Sequence, residues 1–294
     1  MSDSKDAGMD SAPFPDTLSG LPGIIAGNAF VAGQGAQVLS WRDGADRERL
    51  YLSPLTGGLK DGDGDGGDLR AKAIRGGSPI SFPQFSGRGA LPKHGFIRNM
   101  RWTPAAHDGG ASLTLNCRDN AATRRLWPHA FAARMEVHAG AQRLHMALTV
   151  TNTGDAPCEF TVALHTYLRV GDVRNARLQG LQDVSYQDAT AGNVLVAQAE
   201  PDLRIAGELD RVYLSPPQRL TLHEPGVAPL LIEQQGFADS VVWNPGPLNA
   251  VALADFPDDG WLHMLCVEAA CVDAPVRLAP GQSWTGSQTL SLVG

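Results

Sequence analysis

Arg75, Lys93, His94 and Arg98 fall within one segment from Ala73 to Trp102, AIRGGSPISFPQFSGRGALPKHGFIRNMRW, set among glycines and prolines. That composition suits the holding of an anion or a polyol better than the filling of a core. Gly76, Gly77, Gly87, Gly89 and Gly95 let the backbone turn and come close to a ligand, while Pro79, Pro83 and Pro92 stiffen it. A stiff loop loses less entropy when something docks on it. The same composition also describes a solvated surface loop, so the choice depends on two groups further along. These are His165 in FTVALHTYLRVGDV and Glu268 in LHMLCVEAACVD. An imidazole and a carboxyl can divide the labour of moving a proton on and off a reacting oxygen. They lie 103 positions apart, so only a fold can bring them together.

The elements that would position them read as strands. Gly and Pro supply 33 and 20 of the 294 residues, about 18% against an ordinary ~12%, and the apolar runs are short and punctuated. The fold class is therefore all-β. The clearest pair is RMEVHAG followed by AQRLHMALTVTNTG. Met135 and Val137, then Leu144, Met146, Leu148 and Val150, alternate with polar partners around a turn near Gly140, which predicts a hairpin with one buried face. In CEFTVALHTYL, Phe160, Val162 and Leu164 share one face and Glu159, Thr161, Ala163 and His165 the other. His165 thus points away from the apolar stripe. WLHMLCVEAACV is apolar at nearly every position, as in a strand covered on both sides, until Glu268 interrupts it. A carboxylate there has to be paired, hydrogen-bonded or placed in a cleft.

IRGGSP, PKHGFIRN, the His165 segment, ELDRVY, VVWNP and the Glu268 segment, spread over more than 200 residues, together resemble the hexose-6-phosphate mutarotases, a branch of the aldose 1-epimerase superfamily. The resemblance runs from roughly Gly27 to the C-terminus. It implies a large antiparallel β-sandwich, the galactose mutarotase-like supersandwich, with a sugar site on the concave face of one sheet. It implies interconversion of α and β anomers of hexose 6-phosphates, with Glu268 as general base and His165 as general acid. The ring opens to the aldehyde, the C1–C2 bond rotates and the ring closes from the other face. Substrate recognition is implied for Arg75, Arg98 and Asp210, because guanidinium groups pair with phosphate oxygens and a carboxylate accepts from sugar hydroxyls. His94 could touch the sugar or simply structure its loop. Lys93 stands where relatives often carry a polar residue such as Gln, and a second cation there suits a phosphate. Trp243 could stack on a sugar ring or pack as a wall.

Three rivals stay open: a mutarotase of unphosphorylated aldoses, which would not require the cations; a non-catalytic sugar-phosphate binder, which would not require an acid and a base; and glycoside cleavage, which needs two flanking carboxyl groups. Length allows a single β domain over residues 21–294, after a polar tail over 1–20 expected to be disordered. With 43% hydrophobic residues, 19% charged and a formal charge of −7, the chain lacks the basicity of nucleic-acid binders. The N-terminal stretch has no apolar core of a signal peptide, and no window offers the ~18 apolar residues of a membrane span. A cytoplasmic monomer without cofactor is expected. Cys117, Cys158, Cys266 and Cys271 read as small core residues of a reducing compartment. The remaining histidines show no metal spacing. Asp61, Asp63 and Asp65 imitate the start of a calcium loop, but the twelfth position, where an EF-hand needs Glu, is Lys72.

Proton transfer alone suffices for the implied chemistry, so chelators are expected to leave turnover unchanged. Activity lost in EDTA and restored by calcium would show that the Asp61 to Asp65 run had been misread.

Overall fold

The computed structural model describes residues 14–57 and 73–293. The calcium-like run at Asp61 to Asp65 lies outside them, as does most of the expected tail. Asp16–Leu18, inside the tail expected to be disordered, is a strand paired with Leu21–Ala26.

Among the described residues, the named strands form sheets of four, eight and nine, and every pairing between them is antiparallel. The predicted hairpin is present: Phe131–Ala139 pairs with Arg143–Asn152 in the nine-stranded sheet. In the eight-stranded sheet, Val194–Ala197 starts an order that continues through Ser185–Asp188, Leu209–Leu214, Asp239–Asn244, Met264–Leu278, Cys158–Leu164 and Ile80–Ser81. The short strand Tyr167–Arg169 also pairs with Met264–Leu278.

Alternation along these strands divides their side chains between two layers. Phe160, Val162, Leu164, Leu265, Val267 and Ala269 join the main core, together with Met135, Val137, Met146, Leu148 and Val150 of the nine-stranded sheet. That apolar layer is the filling of the sandwich. The residues between them, Ala163, Cys266 and Ala270, belong to smaller apolar clusters on the opposite face, built with Phe85, Val241, Tyr167 and Phe256. Met264–Leu278 is buried at every position through Val272, in agreement with a strand covered on both sides. Glu268 shares the face of Cys266 and Ala270, away from the main core.

Two local devices fix this face. The pairing of Cys158–Leu164 with the long strand shifts register between Phe160 and Val162, and the buried Asp239 carboxylate accepts the N–H groups of Val272 and Asp273 at 2.8 and 2.9 Å. Those donors are satisfied where the ladder breaks. On the other flank the loop carrying His94 is clamped to Phe82 by the N–H groups of Phe82 and Phe96, which donate to His94 O and Phe82 O at 3.2 and 3.0 Å. Gly95 lies there with φ +68°, and a Cβ on it would sit 2.0 Å from Phe82 O. A side chain therefore meets both the left-handed backbone and a fixed carbonyl.

Gly95→Ala is expected to lower unfolding stability by at least about 2 kcal/mol, since strained φ alone costs about 1–3 kcal/mol. Urea denaturation measures it, and an unchanged midpoint would show that the clamp is not rigid.

Candidate active site

A cavity of about 640 Å³, including its open mouth, lies on the outer face of the eight-stranded sheet. Arg75, Lys93, His94, Arg98, His165, Asp210 and Glu268 all line it, so the seven side chains singled out in the sequence meet in one place. Phe85, Ser86, Tyr167, Val241, Trp243 and Leu253 complete the wall.

Strand register explains the floor. Asp210 is the cross-strand neighbour of Trp243, Trp243 of Cys266, and Cys266 of Tyr167, while Glu268 faces Val241. Glu268 is 1% exposed, and neither carboxyl oxygen has a hydrogen-bond partner. His165 follows the end of strand Cys158–Leu164, its N–H donating to Pro79 O at 2.8 Å. Its Nε2 lies 3.3 Å from Glu268 Oε1, close enough for an ion pair yet without the alignment of a hydrogen bond. The imidazole stacks on Tyr167, with ring centroids 4.9 Å apart and 14° between planes. Trp243 and His94 meet it edge-on at 6.0 and 5.1 Å.

Burial governs the protonation of this pair. It pushes the Glu268 carboxyl well above the usual carboxylate range, with the negative charge of Asp210 adding to the effect. It pushes the His165 imidazole down to about 3, helped by the guanidinium groups of Arg98 and Arg75. Both shifts favour the uncharged forms of the pair. Asp210 is also raised by burial, against the pull of Lys93 and Arg88.

His94 is buried and adopts φ +63°, a costly backbone conformation for a residue with a Cβ. Its Nδ1 receives the Ser86 N–H at 3.3 Å and lies 2.9 Å from Ser81 Oγ. An accepting Nδ1 leaves the proton on Nε2, an assignment made from the hydrogen-bond network. Burial, then His165 and Arg98, hold this imidazole well below its ordinary value, so His94 is a neutral donor.

The cations are not equivalent. Arg75 already holds Asp255, its Nε 3.2 Å from both carboxylate oxygens and its Nη2 3.1 Å from Oδ1, and its Nη1 donates to Tyr167 Oη at 3.3 Å. Arg98 forms no ion pair among the described residues. Its Nη2 donates to the Lys93 carbonyl at 2.8 Å and its buried Nε has no partner. Burial pulls the Arg98 guanidinium down and the positive charge of Arg75 works the same way, against the opposing pull of Tyr167 and the Asp255 carboxylate. Lys93 stands exposed at the rim.

Three residues of the site were not singled out as candidates in the sequence. Tyr167 lies two positions after His165, a spacing that could have suggested a shared face. Asp255 sits in an unpatterned turn after the helix Gly246–Ala252 and left no signal. Cys266, read as a core residue, is buried, but its Sγ lies with donor atoms of His165 and Glu268 in a group whose members are all within 4.8 Å, a set that could hold a metal ion.

Comparison with known proteins adds identity to this geometry. The family model described as aldose 1-epimerase matches residues 25–291. A protein of Cenchrus ciliaris named "Putative glucose-6-phosphate 1-epimerase" is 34% identical over 272 residues, covering 88% of this chain and 79% of that protein. One of Salmonella typhimurium with the same name is 35% identical over 277 residues, covering 89% and 86%. The crystal structure of a "putative mutarotase" from Salmonella typhimurium superposes with a TM-score of 0.82 at 30% identity, covering 94% of this chain and 92% of that one. A galactose mutarotase-like protein from Lactobacillus casei shares the fold, with a TM-score of 0.70 at 16% identity, covering 90% and 96%.

The Arg98 guanidinium, with a buried unpartnered Nε and no ion pair among the described residues, makes a direct prediction. Inorganic sulfate is expected to raise the melting temperature, and Arg98→Ala to weaken sulfate binding at least about 10-fold, since a charged hydrogen bond contributes roughly 1.5–3 kcal/mol. An Arg98→Ala protein stabilised by sulfate as strongly as the wild type would contradict it.

Proposed function

The chain belongs to the aldose 1-epimerase family, and we propose that its cavity interconverts the α and β anomers of a hexose 6-phosphate, glucose 6-phosphate first among them. One observation carries this proposal. The same cavity that holds an imidazole against a buried carboxyl also presents a guanidinium with no direct ion pair among the described residues. A neutral sugar would leave that cation unanswered; a phosphate pairs with it.

In the proposed reaction the phosphate end lies against Arg98 and Lys93, and C1 lies at the pair. A phosphate dianion cancels the cationic repulsion that disfavours a proton on His165. Sugar hydroxyls donating to Glu268 stabilise its charged form. Once the bound sugar aligns the pair, whose facing atoms lie 3.3 Å apart, the proton passes from the Glu268 carboxyl to the His165 imidazole. Glu268 then takes the proton of the C1 hydroxyl while His165 gives its own to the ring oxygen. The bond between C1 and the ring oxygen breaks, and a C1 aldehyde and a hydroxyl on C5 form. After rotation about C1–C2 the two transfers run backwards and close the ring from the other face. Asp210 accepts from sugar hydroxyls, the neutral Nε2–H of His94 donates to a sugar oxygen, and Trp243 walls the ring. Arg75, tied to Asp255, positions Tyr167 and through it the His165 ring, and shares the phosphate only in part.

Action as a cytoplasmic monomer is part of the same proposal. Four buried, unpaired cysteines support a reducing compartment. The rival substrate class, unphosphorylated aldoses, draws support from the neutralisation of Arg75 by Asp255.

Glu268→Gln and His165→Ala are each expected to lower turnover of anomer exchange at least ~100-fold with the fold retained, within the usual 10²–10⁴ of general acid–base groups. Arg98→Ala should cost about 10- to 150-fold in kcat/KM for glucose 6-phosphate and little on free glucose. Wild-type preference for free hexoses, or equal loss on both sugars in Arg98→Ala, would replace the phosphate assignment with the neutral-sugar one.

A further inference from the structure

We propose that His165, Cys266 and Glu268 form an inhibitory site for a thiophilic divalent cation such as Zn²⁺, which blocks the reaction by taking the acid and the base as ligands. Nothing in the acid–base chemistry uses Cys266. Yet alternation along Met264–Leu278 turns its sulfur to the same face as Glu268, two residues on, and the strand Tyr167–Arg169 sets the His165 ring beside both. The donor atoms all lie within 4.8 Å of one another, and all three residues are buried. The 3.3 Å between His165 Nε2 and Glu268 Oε1 matches the edge between two ligands of a tetrahedral zinc ion, about 3.4 Å for bonds of 2.0–2.1 Å.

A second observation points to a ligand. Both carboxyl oxygens of Glu268, 1% exposed, lack any hydrogen-bond partner, which an apolar setting penalises and a bound cation would relieve. Imidazole, thiolate and carboxylate are a donor set that zinc and cobalt favour and magnesium does not. On binding, the thiol and the carboxyl each release a proton to solvent, and thiolate plus carboxylate balance the two charges of the ion. The neutral total lets the ion sit near Arg98. The fourth position faces the cavity, where water or a small anion completes the tetrahedron and C1 of a sugar can no longer enter.

Metal binding can be read without any sugar, so it does not depend on the substrate proposed above. The EDTA-treated, dialysed full-length protein is titrated with Co²⁺, and a thiolate-to-cobalt charge-transfer band should saturate at one ion per chain. Cys266→Ser and Cys266→Ala, the first keeping the side-chain size and the second removing the donor outright, should lack the band while retaining turnover. In the exchange assay Zn²⁺ should inhibit the wild type reversibly by EDTA, Mg²⁺ should not, and both variants should need at least about 10-fold more Zn²⁺, no less than the 10- to 100-fold typical of losing an outer partner of a metal ligand. Absence of the cobalt band in the wild type, which no variant is needed to see, would overturn the site. Equal zinc sensitivity in wild type and variants would do the same.

Discussion

Glu268 is a carboxyl removed from water and given no hydrogen bond in return. An ionised carboxylate in that position is prohibitively unstable unless something brings compensating charge or donors. The site is built around that deficit. The nearest proton acceptor is the His165 imidazole, itself buried and surrounded by cations that disfavour its protonation. Both groups resist charge, so the field around them governs which of the two can hold a proton. A bound dianion changes that field, and this is how the proposed substrate would prepare its own acid and base.

The framework keeps that balance by leaving little freedom near it. The His165 ring is pinned by a stack with Tyr167 and by edge contacts from Trp243 and His94. Tyr167 is fixed through its hydroxyl by Arg75, and Arg75 by Asp255. His94 is held by Ser86 and Ser81 in a left-handed backbone turn, with Gly95 pressed against the Phe82 carbonyl beside it. These constraints come from loops on one side and sheet register on the other. They converge on a face whose apolar clusters are small, whereas the large core lies between the sheets.

Much of this was legible in the chain because period-two patterns expose a misplaced residue. His165 falls on the face opposite the apolar stripe that ends at Leu164 and Glu268 interrupts a run otherwise covered on both faces, and both stand in the cavity. The hairpin from Phe131 to Asn152 was readable for the same reason. Asp210 could be found only through resemblance, since an Asp alternating with apolar residues also describes an exposed strand position. The division of labour between the two arginines was not legible at all. Asp255, 180 positions from Arg75, pairs directly with one guanidinium and leaves Arg98 without an ion pair among the described residues, a matter of folded proximity rather than spacing. Nor could the upward shift of the Glu268 carboxyl be read, because desolvation is a property of the packed site. Cys266 shows the converse, a residue correctly read as buried whose sulfur nonetheless faces chemistry.

Difference infrared spectroscopy on wild type and Glu268→Gln tests the proposed proton transfer most directly, using an anhydro-hexitol 6-phosphate that lacks the C1 hydroxyl and cannot react. The ligand-free wild type should show the C=O stretch of one protonated carboxyl that is missing in Glu268→Gln, and binding of the analogue should replace it with a carboxylate band. A Glu268 that is already ionised in the free protein, or that stays protonated with the analogue bound, would contradict the proposed transfer to His165.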